Sequence, residues 1–555
     1  MRQNRMLAIL LGVLATLVLV VGGLSAVLLL SGQGGSTGTT TGSNATGSGA
    51  GAATGRLRLP GTDPSTMDPH LASDSTSAEY IVEVFSGLVT IGPDLSLQLD
   101  MAKSVDVSQD GKTYTFVLRD NITFHDGRKV TTEDVKWSIE RAASKQLSSP
   151  TAMSYLSDIV GMAEYFRGTA QSISGLEVVD ASTIRFKIDS PKPYFLAKLS
   201  YPTSFVVDRK QVEANPRNWT RKPNGTGPYL LSEWRLGERI SLTANEKFYL
   251  GTPKLKEAVY LISGGSALTR FENNELDVAP LSINDIERAR DPGQALSKLY
   301  NQTPQFSISY LAFDSTKPPF DDVALRRAMG MAIDRKKISD VTFKGMLAPA
   351  SGIMMPGLPG FTPDVKTLQF NPEAAKAELA KSKYSVGAPV AGKTPIPTIT
   401  LTEVGGGASA GTDTQAYIDS WKTILGINIE VKQLDFASFL ADQNAGKLQM
   451  FGAGWIMDYP DPEDIIDLKF HSKSALNENH YSNPAVDKLL DEARTMSDAK
   501  RRLDLYRQAE KLIIDDATWL PLYYSVAHQV VSPNVKGWTD PPMVLPRLRF
   551  VEVSR

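Results

Sequence analysis

The chain has 555 residues, 42% of them hydrophobic, and its 59 Lys and Arg against 61 Asp and Glu leave a net charge of −2. That is a globular composition without the basic excess that neutralising nucleic-acid phosphates requires. There is no cysteine, which excludes disulfides, thiolate metal sites, a thiol nucleophile and a lipidated N-terminal Cys. Single cores stop growing near roughly 250–300 residues, so more than one lobe is expected.

Arg2 and Arg5 precede an uncharged, Leu- and Val-rich run from Met6 to Leu30, long enough to cross a hydrocarbon core of about 30 Å. No charge follows until Arg56, so the positive-inside rule places everything downstream outside the cytoplasm. The length of the run favours an uncleaved transmembrane anchor over residues 1–30. The alternative is a cleaved signal peptide, whose apolar core usually spans about 7–15 residues. Residues 31–55 are rich in Gly, Ser and Thr and read as a flexible tether reaching about 25–30 Å.

No repeat of solenoid or propeller period is evident in the body. DGKTYTFVLRDNITFHDG alternates β-formers between Asp110-Gly111 and Asp126-Gly127, a hairpin signature. Thr131-Thr132-Glu133-Asp134 then offers a helix cap, with Val135, Ile139 and Ala142 on one apolar face. LEVVDASTIRFKID (176–189) reads as a hairpin, and RISLTANEKFYLGTPKLKEAVYLI gives two extended runs around a Gly-Thr-Pro turn. FDDVALRRAMGMAIDRKKI predicts a helix with Leu325, Met329 and Ala332 along one stripe. TPIPTITLTEVGGGASAGTDTQAYIDSWKTILGINIEVKQLD has the order strand, glycine-rich loop, helix, strand of a βαβ unit, which implies a parallel sheet. Two amphipathic helices follow, started by Asn483 and Ser497, before a buried strand in WLPLYYSVAHQVVS. The α/β character concentrates between about Asp321 and Trp519, with a β-rich mixture before it, so two differently built lobes are expected.

Catalytic patterns are missing. The five histidines (His70, His125, His471, His480, His528) show no metal-binding spacing, so no metal or other cofactor is expected. His125 beside Asp126 is read as a turn residue making local hydrogen bonds. Ser497 to Lys500 fits S-x-x-K without the partner motifs of acyl-transfer enzymes and is read as structural. Gly225-Thr226-Gly227 and Gly405-Gly406-Gly407 lack nucleotide-binding signatures. The second sits where open α/β sheets place ligands and reads either as a binding loop or as a plain turn. The richest segment runs from Gly452 to Asp464, with two aromatics, four acids and two prolines on an irregular loop. Asp461, Glu463 and Asp464 are assigned to helix capping and dipole pairing. Asp458, framed by Trp455 and Tyr459, is assigned to recognition of a cationic group.

Taken together, several phrases resemble the extracytoplasmic solute-binding proteins of family 5, the dipeptide/oligopeptide/nickel-type receptors of ABC importers. They are Met67-Asp68-Pro69-His70, VFSGLVT, SQDGKTYTFVLRDNITFHDGRKVTTEDVKWSIER, GTGPY, LRRAMGMAIDR, GWIMDYPDPED, HYSNPAVDKLL and PLYYSVAHQVV, and the likeness runs from about Leu59 to Pro546. It implies an α/β, two-lobed periplasmic-binding-protein-like fold with a hinge and an extra N-terminal subdomain. The expected divisions are lobe I over 56–305 with an inserted subdomain at about 87–200, lobe II over 306–525, and a return to lobe I over 526–555. Hinge crossings are expected near Phe306 to Phe313 and Tyr523 to Val531.

The resemblance implies a non-enzymatic receptor that closes on a peptide and delivers it to an ABC permease, held to the membrane by the N-terminal helix. A nickel chelate, sugar or opine is the alternative solute, and a receptor that senses without transport is the alternative role. An exported hydrolase fails for want of a nucleophile and base. In peptide-binding members the aspartate of the G-W-x-x-D loop accepts the peptide α-ammonium, and that position here is Asp458. Tyr523 or Tyr524 matches a peptide-contacting aromatic, Thr226 a polar ligand contact, and Asp74 with Ser73 a further contact region.

Overall fold

Two strands of almost continuous β-formers, Tyr300–Phe313 and Trp519–Val531, organise the larger part of the protein. In the computed structural model, which describes residues 55–387, 389–405 and 410–554, they pair antiparallel from Tyr300 opposite Val530 to Ala312 opposite Trp519. The register shifts between Pro304 and Ile308, where a proline with no N–H interrupts the ladder. The two strands lie within a seven-stranded sheet. Its order is Val278–Pro280, Trp519–Val531, Tyr300–Phe313, Met450–Ile456, Ile399–Val404 and Ile429–Leu434, with Ala348–Pro349 paired to Trp519–Val531. Ile399–Val404 and Ile429–Leu434 are parallel and joined through the helix Thr412–Ser420, so the βαβ unit forms as expected. Of its glycine run only Gly405 lies among the described residues.

Period-two alternation sends side chains from these strands to both faces of the sheet, and the two apolar layers together make a first core. Phe306, Ile308, Tyr310 and Ala312 pack against the helices Pro484–Thr495 and Ala499–Asp515. Leu311 and Phe313 meet Leu325, Met329, Tyr417 and Trp421 on the opposite face. Asn483 caps the first of the C-terminal helices, accepting from the Ala485 N–H. The second is capped by Asp498, which accepts from the Arg501 N–H at 2.7 Å, and not by the expected Ser497. The run FDDVALRRAMGMAIDRKKI forms two helices, Val323–Met331 and Arg335–Thr342, capped by Asp322 and Asp334.

A second core surrounds the four-stranded sheet Arg56–Pro60, Glu257–Leu261, Arg239–Ala244, Tyr229–Arg235. The helix Ser75–Val84 and the C-terminal residues Val535, Leu548, Val551 and Val553 pack into it. A third core lies against the antiparallel sheet Ala102–Val107, Thr113–Leu118, Thr183–Lys187, Leu176–Val178. Its helix Thr132–Ala142 begins where Asp134 accepts from both the N–H and the hydroxyl of Thr131. The turn at Asp110-Gly111 closes a true hairpin here. Asp126-Gly127 closes only a single bridge, Thr123 with Lys129.

Among the described residues no helix is long and apolar enough to cross a membrane. The expected anchor, and the tether apart from Gly55, lie outside those residues.

Candidate functional site

The strand Met450–Ile456 leaves the large sheet at Met457, whose N–H still reaches Phe306 O at 2.9 Å. Beyond it, prolines at 460 and 462 forbid a continuous helix. The chain instead makes the tight turn Pro462–Asp464, started by Asp461, which accepts from the Glu463 N–H at 2.9 Å. Arg502 clasps Asp461 with two hydrogen bonds, at 2.8 and 2.5 Å. The turn folds back so that Asp464 Oδ2 accepts the Asp458 N–H at 2.8 Å. The loop is thereby held at both ends by its own carboxylates.

Asp458 and Tyr459 both reach the third core. The Asp458 carboxylate accepts the Tyr155 hydroxyl, which comes from the third core. Tyr155 stacks on Tyr201 with ring centroids 3.8 Å apart and planes 3° from parallel. Tyr459 is fully buried in that same core and donates its hydroxyl to Glu463. Glu463 lies 3.8 Å from the Lys198 ammonium, which pairs with Asp158 at 3.0 Å. The loop of one unit is thus inserted into the core of another.

Burial governs the electrostatics. It pushes the Asp458 carboxyl up to about 7, against the lowering effect of the Tyr155 hydrogen bond. Burial likewise lifts Glu463 to about 7, with Lys198 opposing. Asp464 rises well above the ordinary range, first through burial and then through the charge of Asp458. Glu463 and Asp464, assigned to helix capping and dipole pairing, lie in the first turn after the Asp461 cap but do not themselves cap it. They are 3% and 0% exposed and belong to the contact between units. Only Asp461 caps as foreseen.

The remaining predicted residues divide. The face of Trp455 already carries a cation, the Lys469 ammonium 4.7 Å from the ring centroid, itself paired with Glu478 at 2.6 Å. Tyr459 is buried in the third core, its ring 6.3 Å from that of Tyr155, whose hydroxyl Asp458 accepts. Tyr523 and Tyr524, adjacent on one strand, are buried in the apolar layers on opposite faces of the large sheet. The Tyr524 hydroxyl is held by Gly352 and Met354 carbonyls and the Gly352 N–H. Thr226 is wholly buried, its hydroxyl accepting from the Ser86 N–H at 3.1 Å. It lies in a turn whose flanking glycines touch the Val84 backbone, and His125 donates to Gly227 O at 3.0 Å. Asp74 caps Ser75–Val84, accepting from the Ser77 N–H at 2.8 Å, and its charge reaches Tyr201. The structure therefore brings Asp458, Trp455 and Asp74 toward one junction and leaves Thr226, Tyr523 and Tyr524 in packing roles. Tyr155, Tyr201 and the burial of Asp464 were not foreseen. Residues 155 and 458 are 303 positions apart, a separation that local pattern does not report.

Residues 96–477 match the family described as bacterial extracellular solute-binding proteins, family 5 middle. The chain belongs to this family. Among its curated relatives is the probable deoxycholate-binding periplasmic protein YgiS of Escherichia coli, 27% identical over 493 residues, covering 86% of this chain and 89% of the relative. The oligopeptide-binding protein OppA of Bacillus subtilis is 26% identical over 493 residues, covering 86% and 88%. Among solved structures, the murein tripeptide binding protein MppA of E. coli superposes with a TM-score of 0.75 at 25% identity, over 90% of this chain and 99% of the other. The family 5 assignment makes the body an extracytoplasmic solute-binding protein of α/β fold.

Proposed function

We propose that this family 5 protein captures peptides by their α-ammonium at Asp458 and delivers them to an ABC permease. One observation carries the reading. Asp458 is presented at a junction between two separately cored units, and among the described residues no lysine, arginine or histidine forms an ion pair with it. A buried carboxylate without a cation is costly, and an arriving ammonium removes that cost. The peptide-binding names carried by OppA and MppA among its relatives support the same ligand class.

In this reading lobe I spans 56–305 with a subdomain inserted at about 87–200, lobe II spans 306–525, and 526–555 returns to lobe I. The distribution of cores supports these limits. The third core draws mainly on Leu88 through Val206, joined by Phe248, Tyr249 and Tyr459, and C-terminal residues pack with the four-stranded sheet that begins at Arg56. The hinge is placed at the register shift of the long strand pair, where Pro304 and Ile308 flank the change. Small rotations there open the lobes, and ligand shifts the population toward closure. The segment 1–30 is proposed as the membrane anchor.

The name of YgiS raises a second reading, a deoxycholate-like solute. A steroid carboxylate would meet Asp458 and Asp464 with no cation between them, so the electrostatics favour the peptide.

Mass spectrometry of ligand retained by the soluble body expressed from Gly55 tests the proposal, with peptides as the expected content. Asp458→Asn should weaken peptide binding by about 3–5 kcal/mol, and N-acetylated peptides should bind poorly. Equal affinity of free and acetylated peptides refutes the role of Asp458.

A further inference from the structure

We infer that Tyr155 is a positioning residue: its hydroxyl, carried by the opposite unit, fixes one oxygen of Asp458 so that the other is aimed at an arriving ammonium. The inference rests on the peptide reading above and adds the group that orients its carboxylate.

Asp458 is held from two sides. Within its own loop, its N–H donates to Asp464 Oδ2 at 2.8 Å, which fixes the backbone. From the third core, the Tyr155 hydroxyl donates to Asp458 Oδ2, which fixes the side chain. Among the described residues no other side chain donates to this carboxylate, so Oδ1 is left for a ligand. Asp458 keeps part of its surface accessible, whereas Tyr155 is 4% exposed.

The donor is rigidly mounted. Tyr155 belongs to the short helix Ala152–Leu156, with its ring stacked on Tyr201 and set edge-on to Tyr459. Tyr201 leads into the turn Pro202–Ser204. The two segments are tied to each other by a buried bond between the Thr151 and Thr203 hydroxyls. The Ser149 hydroxyl secures the helix start, accepting from the Thr151 and Ala152 N–H groups at 3.3 and 3.2 Å. Neither tyrosine has room to swing away without dismantling this stack.

A phenol suits the task because it donates without bringing a charge. A lysine or arginine in its place would neutralise Asp458 and compete with the ligand. A neutral donor favours the ionised carboxylate and leaves its charge uncancelled. Because Tyr155 and Asp458 lie in different units, the aim is set only when those units meet. An ammonium then finds its best-oriented partner in the closed form, which biases the population toward closure. A hydroxyl that merely occupied the carboxylate would act in the opposite sense, and its removal would tighten binding.

The test is a double-mutant cycle on the soluble body from Gly55, with Tyr155→Phe, Asp458→Asn and the double variant. Affinity for alanine peptides of two to five residues is read from ligand-induced shifts in Tm, with peptide taken high enough that weak variants still register. Tyr155→Phe keeps the stacked ring, and unfolding of the ligand-free variant checks that the fold is retained. Its expected effect is a loss of about ten- to a hundredfold, the range of a hydrogen bond to a charged group. In the Asp458→Asn background the same change should cost less than about threefold, because the two residues act as one unit. An equal loss in both backgrounds makes the hydroxyl a merely structural contact and overturns the inference. So does unchanged or tighter binding by Tyr155→Phe while Asp458→Asn binds weakly, and that result leaves the peptide reading intact. If Asp458→Asn binds like the parent, or the parent binds none of these peptides, the peptide reading fails and the inference falls with it.

Discussion

Tyr459 offers the sharpest test of whether the junction opens. Its ring belongs to the 450–464 loop but is buried in the core that contains Tyr155, Tyr201 and Phe195, 6.3 Å from the Tyr155 centroid in an edge contact. If the two units separate to admit ligand, that burial exists only in the closed form. Truncating a buried Phe or Trp to Ala costs about 3–5 kcal/mol, and Tyr459 has comparable area. Tyr459→Ala should therefore penalise closure by about 3 kcal/mol or more, equivalent to a hundredfold or greater loss of apparent affinity. Closure would also lose the Tyr459 hydroxyl that steadies Glu463. The assay is calorimetric titration with the retained peptide, paired with thermal unfolding of the ligand-free protein. The expected pattern is a large fall in affinity with a small change in ligand-free Tm. An unchanged Kd with a Tm lowered by the full amount would show that the contact never opens, and would refute hinge closure at this junction.

Two further outcomes concern the framework. Gly227→Ala would set a Cβ 2.5 Å from Glu83 O and 2.6 Å from the Val84 carbonyl carbon, backbone atoms that cannot swing aside. Thermal unfolding should show at least the roughly 1–3 kcal/mol of an overpacked site. Glu510 accepts from the Ile353 and Met354 N–H groups at 2.7 and 2.8 Å, and burial lifts its carboxyl from the ordinary 4.5 to about 7. The native state then holds a proton that the unfolded chain releases, so this group's contribution to stability is full below 4.5 and is lost as pH rises through 7. Glu510→Gln keeps an acceptor for the two N–H groups and removes the charge, so denaturant unfolding between pH 4.5 and 7.5 should become flatter than in the parent. An unaltered slope would show that Glu510 does not carry the proton.

Much of this fold is legible because its signals are local. The βαβ unit between residues 399 and 434, the Thr131 cap and the 176–189 hairpin each follow from spacing within about forty residues. The loop carrying Asp458 is legible as a rigid, acid-rich turn for the same reason. The environment of its acids is not, because D-P-E-D reads identically whether the turn faces water or the core of another unit. Tyr523 and Tyr524 illustrate a different limit. Alternation along a strand establishes that they face opposite ways, but in a sheet covered on both sides each direction ends in a core. Ser497 and Asp498 are both good capping residues, and backbone geometry alone decides between them.

The position of Trp519–Val531 has a consequence for the order in which the chain becomes structured. It is nearly the last strand in sequence, yet it pairs with Tyr300–Phe313, Val278–Pro280 and Ala348–Pro349. Until it arrives, the largest sheet lacks an inner strand and two hydrophobic faces stay incomplete. An emerging chain therefore cannot complete this sheet before residues beyond 519 are available, whereas most of the core drawn from Leu88 to Val206 is already in hand by then.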